Sequence, residues 1–444
     1  MATAEGFCAG DDDGSSKGIE HNSIIREGGT GLQKTGVLAE EATVWYEIVR
    51  NCLLNDILGF WKERTADQEH GGYITSFDRE GNCTGKEKNI WLQARQVWMF
   101  ATIYSNVEKD PAWLNLAKTG RDYLISHAYA GNGRWYYLLD ENGTVQQGAI
   151  SLFTDMFVLM ALSAYAAASD STEDENVIRE TFDRLDQNIR NEDCRDTFPQ
   201  KYKAGAVSHG RYMICLNSVA CARGYLDGDK ADALIRFCMD RIFGVLGHGD
   251  DGTIHEMRTL QGGYIDSEDG HRINPGHIFE SMWFVLEQAE RVGRPEYAER
   301  ALHTISVTYQ RSHDEKFGGI LHMLSDNGTD EQYKDWNAAR QLKWDEKVWW
   351  TQAEALCALL TSADRTGDSA AWEEFKTLFL WCREHFFDPD YGEWYAVLNR
   401  DGSPRMKLKG GIQKAAFHIP RALYQCSCIL KKYVAETGDC DAQT

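Results

Sequence analysis

The sequence predicts an all-α barrel with short β-hairpins in its connecting loops. Three observations carry this. Apolar residues recur at three- and four-residue spacing through a series of long segments. Between those segments a second pattern returns four times: a glycine-containing turn, an aromatic or apolar run of strand length, then an Asp-Gly or Asn-Gly type of turn. Only seven of the 444 residues are proline, so little interrupts the helices. Recurrence of one supersecondary unit signals a repeat architecture. A ring of helix pairs buries one face of each helix and leaves a central cavity, with the loops lining one mouth.

The elements follow in chain order. Residues 1–38 are rich in Gly, Asp and Ser without periodicity and are expected to be disordered. A single barrel domain is expected over 39–435, and 436–444 as a flexible tail. The first helix is "EEATVWYEIVRNCLLNDILGFWKE", followed by the hairpin "DQEHGGYITSFDREG" at 67–81. "WLQARQVWMFATIYS" is the next helix, then the hairpin "GNGRWYYLLDENG" at 131–143 and the helix "LFTDMFVLMALSAYAAAS". Further on come the helix "NPGHIFESMWFVLEQAERV", the hairpin at 314–328, the helix "KVWWTQAEALCALLTSA" and the hairpin at 388–402. Pro420 at a first-turn position starts the last helix. No strand, Gly-rich turn and helix occur together, which argues against a dinucleotide or P-loop fold.

Composition narrows the function. A net charge of −21 and the lack of a Lys/Arg cluster argue against nucleic acid as a partner. No apolar run of about 18 residues is apparent, so no membrane span is expected. The N-terminus lacks the basic start and apolar block of a secretory signal. The twelve cysteines are scattered through apolar helical runs, as expected of reduced thiols in a cytoplasmic protein. Their spacing with His suits no metal, and none is expected; Cys426 and Cys428 are a weak signal only. Fourteen Trp and nineteen Tyr suit a pocket lined by ring faces, a surface that takes sugars well.

Two histidines stand out. His277 follows Asn274, Pro275 and Gly276 at the start of an apolar helix, where free backbone N–H groups disfavour imidazolium. Glu280, three residues on, shares its helix face and is expected to orient the ring. His418, about 140 residues later, stands in the same situation before Pro420. Two such imidazoles suit proton transfer on two sides of one carbon. Arg95, Asp155 and Glu354 lie on apolar helix faces, where a charge must be paired or functional. His70, His313 and His385 lie near turns or helix ends and read as surface or structural groups.

At these residues the chain resembles the N-acylglucosamine 2-epimerase family, through "DQEHGGYITSFDREG", "WLQARQVWMF", "GRWYYLLDENG", "NPGHIFE", "KVWWTQAEA", "DPDYGEWYAVLNRDG", "LKGG" and "FHIPRAL" in the family's order. The resemblance spans about 42–430. It implies an (α/α)6 barrel, an essential set carried over onto His277, His418, Arg95 and Glu354, a homodimer and, in some members, ATP as an activator. No phosphate-binding loop accompanies that last implication. The chain departs from the pattern where "WWTQAEA" stands for the mammalian "WWPHSEA", so that Gln352 replaces a His; near the end "GGIQKAAFH" replaces "GGPFKGCFH". Both departures bear on the substrate.

The resemblance implies interconversion of N-acyl-D-glucosamine and N-acyl-D-mannosamine, with epimerisation or isomerisation of free hexoses such as mannose, or of disaccharides such as cellobiose, as the alternative. His277 and His418 would serve the two faces of C2 and Arg95 the enediolate oxygen. Glu354 would orient a His or assist ring opening. Trp349, Trp350 and Trp394 would stack on the sugar. No metal or redox cofactor is required. A non-catalytic protease-binding protein is the rival of another class, and the intact His, Arg and Glu set argues against it. A glycosidase would need two carboxylates flanking the bond.

Overall fold

The computed structural model describes residues 37–191, 205–247, 249, 251–327 and 342–437. Among them twelve long helices alternate between an outer and an inner ring. They are α1 (Val37–Asn51), α2 (Ile90–Asn106), α3 (Pro111–Tyr123), α4 (Leu152–Ser169), α5 (Glu175–Arg190), α6 (His209–Ala222), α7 (Gly228–Arg241), α8 (Pro275–Gln288), α9 (Pro295–Ser312), α10 (Trp349–Thr366), α11 (Ser369–His385) and α12 (His418–Thr437). The even-numbered helices pack on one another in the order α2, α4, α6, α8, α10, α12. Phe417, just before α12, closes the ring by meeting Trp98 of α2 at 5.7 Å and Phe157 of α4 at 5.9 Å.

The two rings differ as burial requires. Outer α5 buries a stripe of Ile178, Thr181, Phe182, Leu185 and Ile189, at the spacing of one helix face. Inner α2 buries every residue from Leu92 to Ile103. Asp110, Asp227 and Asp368 cap the outer helices α3, α7 and α11. Asn89 and Asn274 cap the inner helices α2 and α8.

α1 begins at Val37, so Val37 and Leu38 belong to a helix and not to the lead-in; α12 likewise runs two residues into the expected tail. The rest of both segments lies outside the described residues. One expectation is corrected. α4 is long and apolar enough over its 18 residues to cross a membrane by composition, yet it is mostly buried as barrel wall. Cys426 and Cys428, two apart on α12, project to different sides and cannot share an ion.

The short strands follow one rule. Lys88–Asn89, Ala206–Ser208, Arg272–Ile273 and Lys347–Val348 each lead into an inner helix. Each pairs antiparallel with a strand that follows the next outer helix: Leu138–Leu139, Met257–Thr259, Leu324–Ser325 and Val397–Leu398 respectively. Hairpins and inner-helix N-termini therefore share one end of the barrel. The expected hairpins at 131–143 and 388–402 form, as Leu138–Leu139 with Val145–Gln147 and Val397–Leu398 with Pro404–Met406. The strand within 314–328 instead pairs with Arg272–Ile273, and the strand at Met257–Thr259 was not anticipated.

Two of the loops are built alike, side chain for side chain. Asp67 accepts from the backbone N–H groups of Glu69 and His70 and pairs at 2.5 Å with the buried Lys88. Asp314 accepts from Lys316 and Phe317 and pairs at 3.1 Å with the buried Lys347. Gln93 grips both backbone polar groups of Tyr73, at 2.7 and 2.9 Å, and Gln352 grips both of Ile320, each at 2.8 Å. Arg95 and Glu354 stand two residues beyond these glutamines, so the repeat itself aims both at the lumen.

Candidate active site

Glu354 is the hub of the lumen. It is fully buried on α10. Its Oε1 accepts from His418 Nδ1 at 2.7 Å and from the Arg421 guanidinium at 2.6 Å, and its Oε2 accepts from Trp283 Nε1 at 2.9 Å. Arg421 also donates to Glu280 Oε1. With Nδ1–H given to Glu354, His418 presents Nε2 as a lone pair. Burial drives the His418 imidazole well below the usual histidine value; Glu280 opposes this, and the neighbouring Arg95 and Arg421 charges add to it. Glu280, Glu354 and His418 would together suit a metal ion. The cation among them is the Arg421 guanidinium, so the trio reads as an ion-pair network.

His277 lies across from this group. Asn274 Oδ1 accepts its backbone N–H at 3.2 Å, as the helix cap. Its Nδ1 meets both oxygens of Glu256 at 2.9 Å. The orienting carboxylate is therefore Glu256 and not Glu280, which is committed to Arg421. The expectation that the helix N-terminus governs this imidazole is also corrected. Burial alone would lower it, but Glu256, and beyond it Glu280 and Glu354, hold it above the usual histidine value. Glu256 itself stays below the ordinary carboxylate value: burial works against this, and His277 outweighs it. The two imidazoles are thus pushed apart in proton affinity, His277 up and His418 down.

Trp350 meets both imidazoles, its ring 5.2 Å from that of His277 and 5.7 Å from that of His418. Gly276 makes room for it, since a Cβ there would stand 2.3 Å from the indole. Arg95 stands on α2, its guanidinium over Phe157 at 4.1 Å, Phe417 at 4.8 Å and Trp91 at 5.6 Å. Its Nε has no hydrogen-bond partner. Burial lowers it to about 9, with Glu280 and Glu354 opposing and Arg421 adding to the fall. A buried guanidinium held by ring faces is a receptor for an oxyanion.

Other expected residues lie elsewhere. Asp155 accepts from the Trp135 backbone at 3.0 Å and pairs with Arg134 at 2.6 Å, tying the hairpin to α4. Trp349 is core, and Trp394 is core stacked on Phe386 at 5.3 Å. Gln352 spends its amide on both backbone polar groups of Ile320, which gives it a structural task in the loop. Gln352→Leu should cost about 2–4 kcal/mol, because two buried backbone groups lose their partner. Denaturant unfolding measures this; unchanged stability with an altered choice of sugar would restore Gln352 to the pocket.

Two residues escaped the sequence reading. One is Glu256, in "DGTIHEMRTL", whose strand lacks the aromatic run of the other hairpins. The other is His209, which is buried with Nε2 at 2.8 Å from Ser281 Oγ. Its ring meets that of His277 edge-on at 6.1 Å. Burial lowers it to about 3, so it stands against His277 as an uncharged wall.

The chain is 28% identical to the N-acylglucosamine 2-epimerase of Bos taurus over 400 residues, 88% of this chain and 92% of that protein. It is 23% identical to the cellobiose 2-epimerase of Ruminococcus albus over 394 residues, 84% and 96% of the two chains. Its fold matches the solved structure of the cellobiose 2-epimerase from Spirochaeta thermophila with a TM-score of 0.76 at 19% identity, covering 90% of this chain and 99% of that one. The barrel is therefore the (α/α)6 barrel of these sugar-converting proteins. With the N-acylglucosamine 2-epimerase (GlcNAc 2-epimerase) profile matching residues 72–422, the chain belongs to that family.

Proposed function

We propose that the protein interconverts N-acyl-D-glucosamine and N-acyl-D-mannosamine by moving the C2 proton of the open-chain sugar between His418 and His277. The observation that carries the reading is the pair of imidazoles that meet one indole, Trp350, each with its own carboxylate partner. The 28% identity to the bovine enzyme favours the acylamino sugar. Next to the aldehyde carbonyl the C2 proton is acidic enough for a positioned imidazole to take it. His418, held neutral, is the base at one face. His277, held protonated by Glu256, is the acid at the other. Arg95 takes the oxygen on which the enediolate charge develops, with no reorganisation at that moment. Trp350 offers the sugar a ring face. The reverse reaction exchanges the two roles. Neither a metal nor a redox cofactor enters this scheme.

The scheme sets the pH dependence. The base must be deprotonated, so the rate rises with pH through a limb below the usual histidine value, given by His418. The acid must be protonated, so the rate falls through a limb above that value, given by His277. A pH–rate profile with this plateau is expected; a single limb near the free histidine value would sink the assignment.

Turnover in deuterated water tests the substrate. With N-acetylmannosamine, deuterium should enter C2 of both epimers, and no ketose should form because the acetamido group blocks that outcome. Fructose from mannose, without turnover of N-acetylmannosamine, would transfer the same proton chemistry to a free hexose. Arg95→Lys should lower kcat more than it raises KM, since lysine keeps the charge and loses the planar fork. Steady-state kinetics on the folded variant decides; a change confined to KM would make Arg95 a binding group only.

A further inference from the structure

A further carboxylate stands behind the site, beyond Glu256, Glu280 and Glu354. Asp326 follows the strand Leu324–Ser325, and its backbone N–H donates to the His271 carbonyl at 3.2 Å. Its side chain accepts three hydrogen bonds: from His255 Nε2 at 2.7 Å, from His271 Nδ1 at 2.6 Å and from the Tyr264 hydroxyl at 2.9 Å. Arg258 backs the group with its guanidinium 3.9 Å above the Tyr264 ring. The scheme above uses none of these side chains.

Their places in the chain give the cluster its meaning. His255 directly precedes Glu256, the partner of His277. His271 directly precedes the strand Arg272–Ile273, which leads into Asn274 and α8. The Glu256 N–H in turn donates to the Arg272 carbonyl at 2.9 Å. One carboxylate thus joins the segment that carries Glu256 to the segment that carries His277, one residue away from each line of contact. His255 is buried and its Nδ1 lacks a partner, so its ring is anchored through Nε2 on Asp326. Burial lowers the His255 imidazole despite Asp326, which suits a neutral ring donating through Nε2.

We propose that Asp326 is a positioning residue: by gripping His255, His271 and Tyr264 it fixes the Glu256 carboxylate on His277 Nδ1 and so sets the orientation and charge of that imidazole. This rests on the reading of His277 as a proton-transfer group. An Asn at 326 keeps the shape but offers one acceptor oxygen and turns an NH2 towards a donor. The hairpin then shifts and the Glu256–His277 contact loosens.

The test compares wild type, Asp326→Asn, His271→Gln and Tyr264→Phe, the last two removing or altering one donor each. Ring ¹⁵N shifts of His277 are titrated, alongside the pH profile of kcat. In Asp326→Asn the His277 titration and the alkaline limb should both move to lower pH by about one unit as the carboxylate is lost from Nδ1. A displacement of this kind should lower kcat by between about 10-fold and about 100-fold with a smaller change in KM. Tyr264→Phe and His271→Gln should move both in the same direction by less, and they decide the matter if Asp326→Asn fails to fold. A folded Asp326→Asn, or the two milder variants, with His277 titrating as in wild type overturns the proposal. If wild type turns over no sugar, the proton-transfer reading fails, and the ¹⁵N titration still decides whether Asp326 positions His277.

Discussion

His418→Asn is expected to abolish inversion at C2, with a loss of about 10²–10⁴-fold or more. In the proposed scheme this imidazole takes the C2 proton at its face of the site, and Glu354 beside it is engaged by His418, Arg421 and Trp283. Asn keeps a polar side chain of similar reach, so Glu354 retains a donor and the fold should survive. His277→Asn is expected to lose inversion to the same extent, but with a different residue of activity. His418 would still take the C2 proton of one epimer and return it to the same face. In deuterated water that variant should therefore exchange the C2 proton of one epimer without inverting it, whereas His418→Asn should leave exchange only for the other. NMR of C2 reads both. Near-wild-type inversion by either folded variant removes the pair from the mechanism.

Arg421→Met is expected to cost about 3–5 kcal/mol of stability, because it breaks a buried ion-pair network from the cation's side. The guanidinium is almost wholly buried and joins Glu280 to Glu354. Without it two carboxylates face each other in the lumen with no cation between them. Their charges hold Arg421 protonated, well above the guanidinium's ordinary value, although burial alone would act the other way. The variant should also lose activity in whatever fraction folds, since Glu354 would no longer be held against His418. Arg421→Lys should recover part of the stability, as a point charge without the planar fork. Chemical denaturation measures the difference. A Met variant as stable as wild type would mean that the carboxylates find another partner and that Arg421 is no keystone.

Much of the site was legible because its residues announce themselves locally. His277 and His418 each begin an inner helix, and Arg95 and Glu354 are charges on faces that otherwise read as core. A charged residue in such a stripe stands out in one dimension. The four also fall within separate motifs, each carrying turn and cap residues of its own. The partners did not stand out in this way. Glu256 is one acidic residue among 68 Asp and Glu, just before a strand with no aromatic signature. Its relation to His277 arises only because Met257–Thr259 pairs with Ala206–Ser208 while the Glu256 N–H meets Arg272. Glu280 was assigned to His277 by helix spacing. The spacing is right, but a residue on the lumen face also meets side chains from other helices, and there Glu280 pairs with the Arg421 guanidinium of α12.

Gln352 shows the same division. As a letter in "WWTQAEA" it differs from the mammalian His and invites a reading in terms of substrate. In the fold it repeats the clamp that Gln93 makes on Tyr73, and its amide is spent on Ile320. Asp155 and Trp394 were likewise sound as buried functional-looking groups and were placed in the wall by their partners. By itself the sequence determined the helical repeat, the hairpin end of the barrel and the side chains able to do acid–base chemistry, since periodicity, caps and residue chemistry are local properties. The tertiary structure alone decided which carboxylate faces which imidazole, and hence that His277 is raised and His418 lowered, because proton affinity is set by charges and burial contributed from strands and helices far apart in the chain.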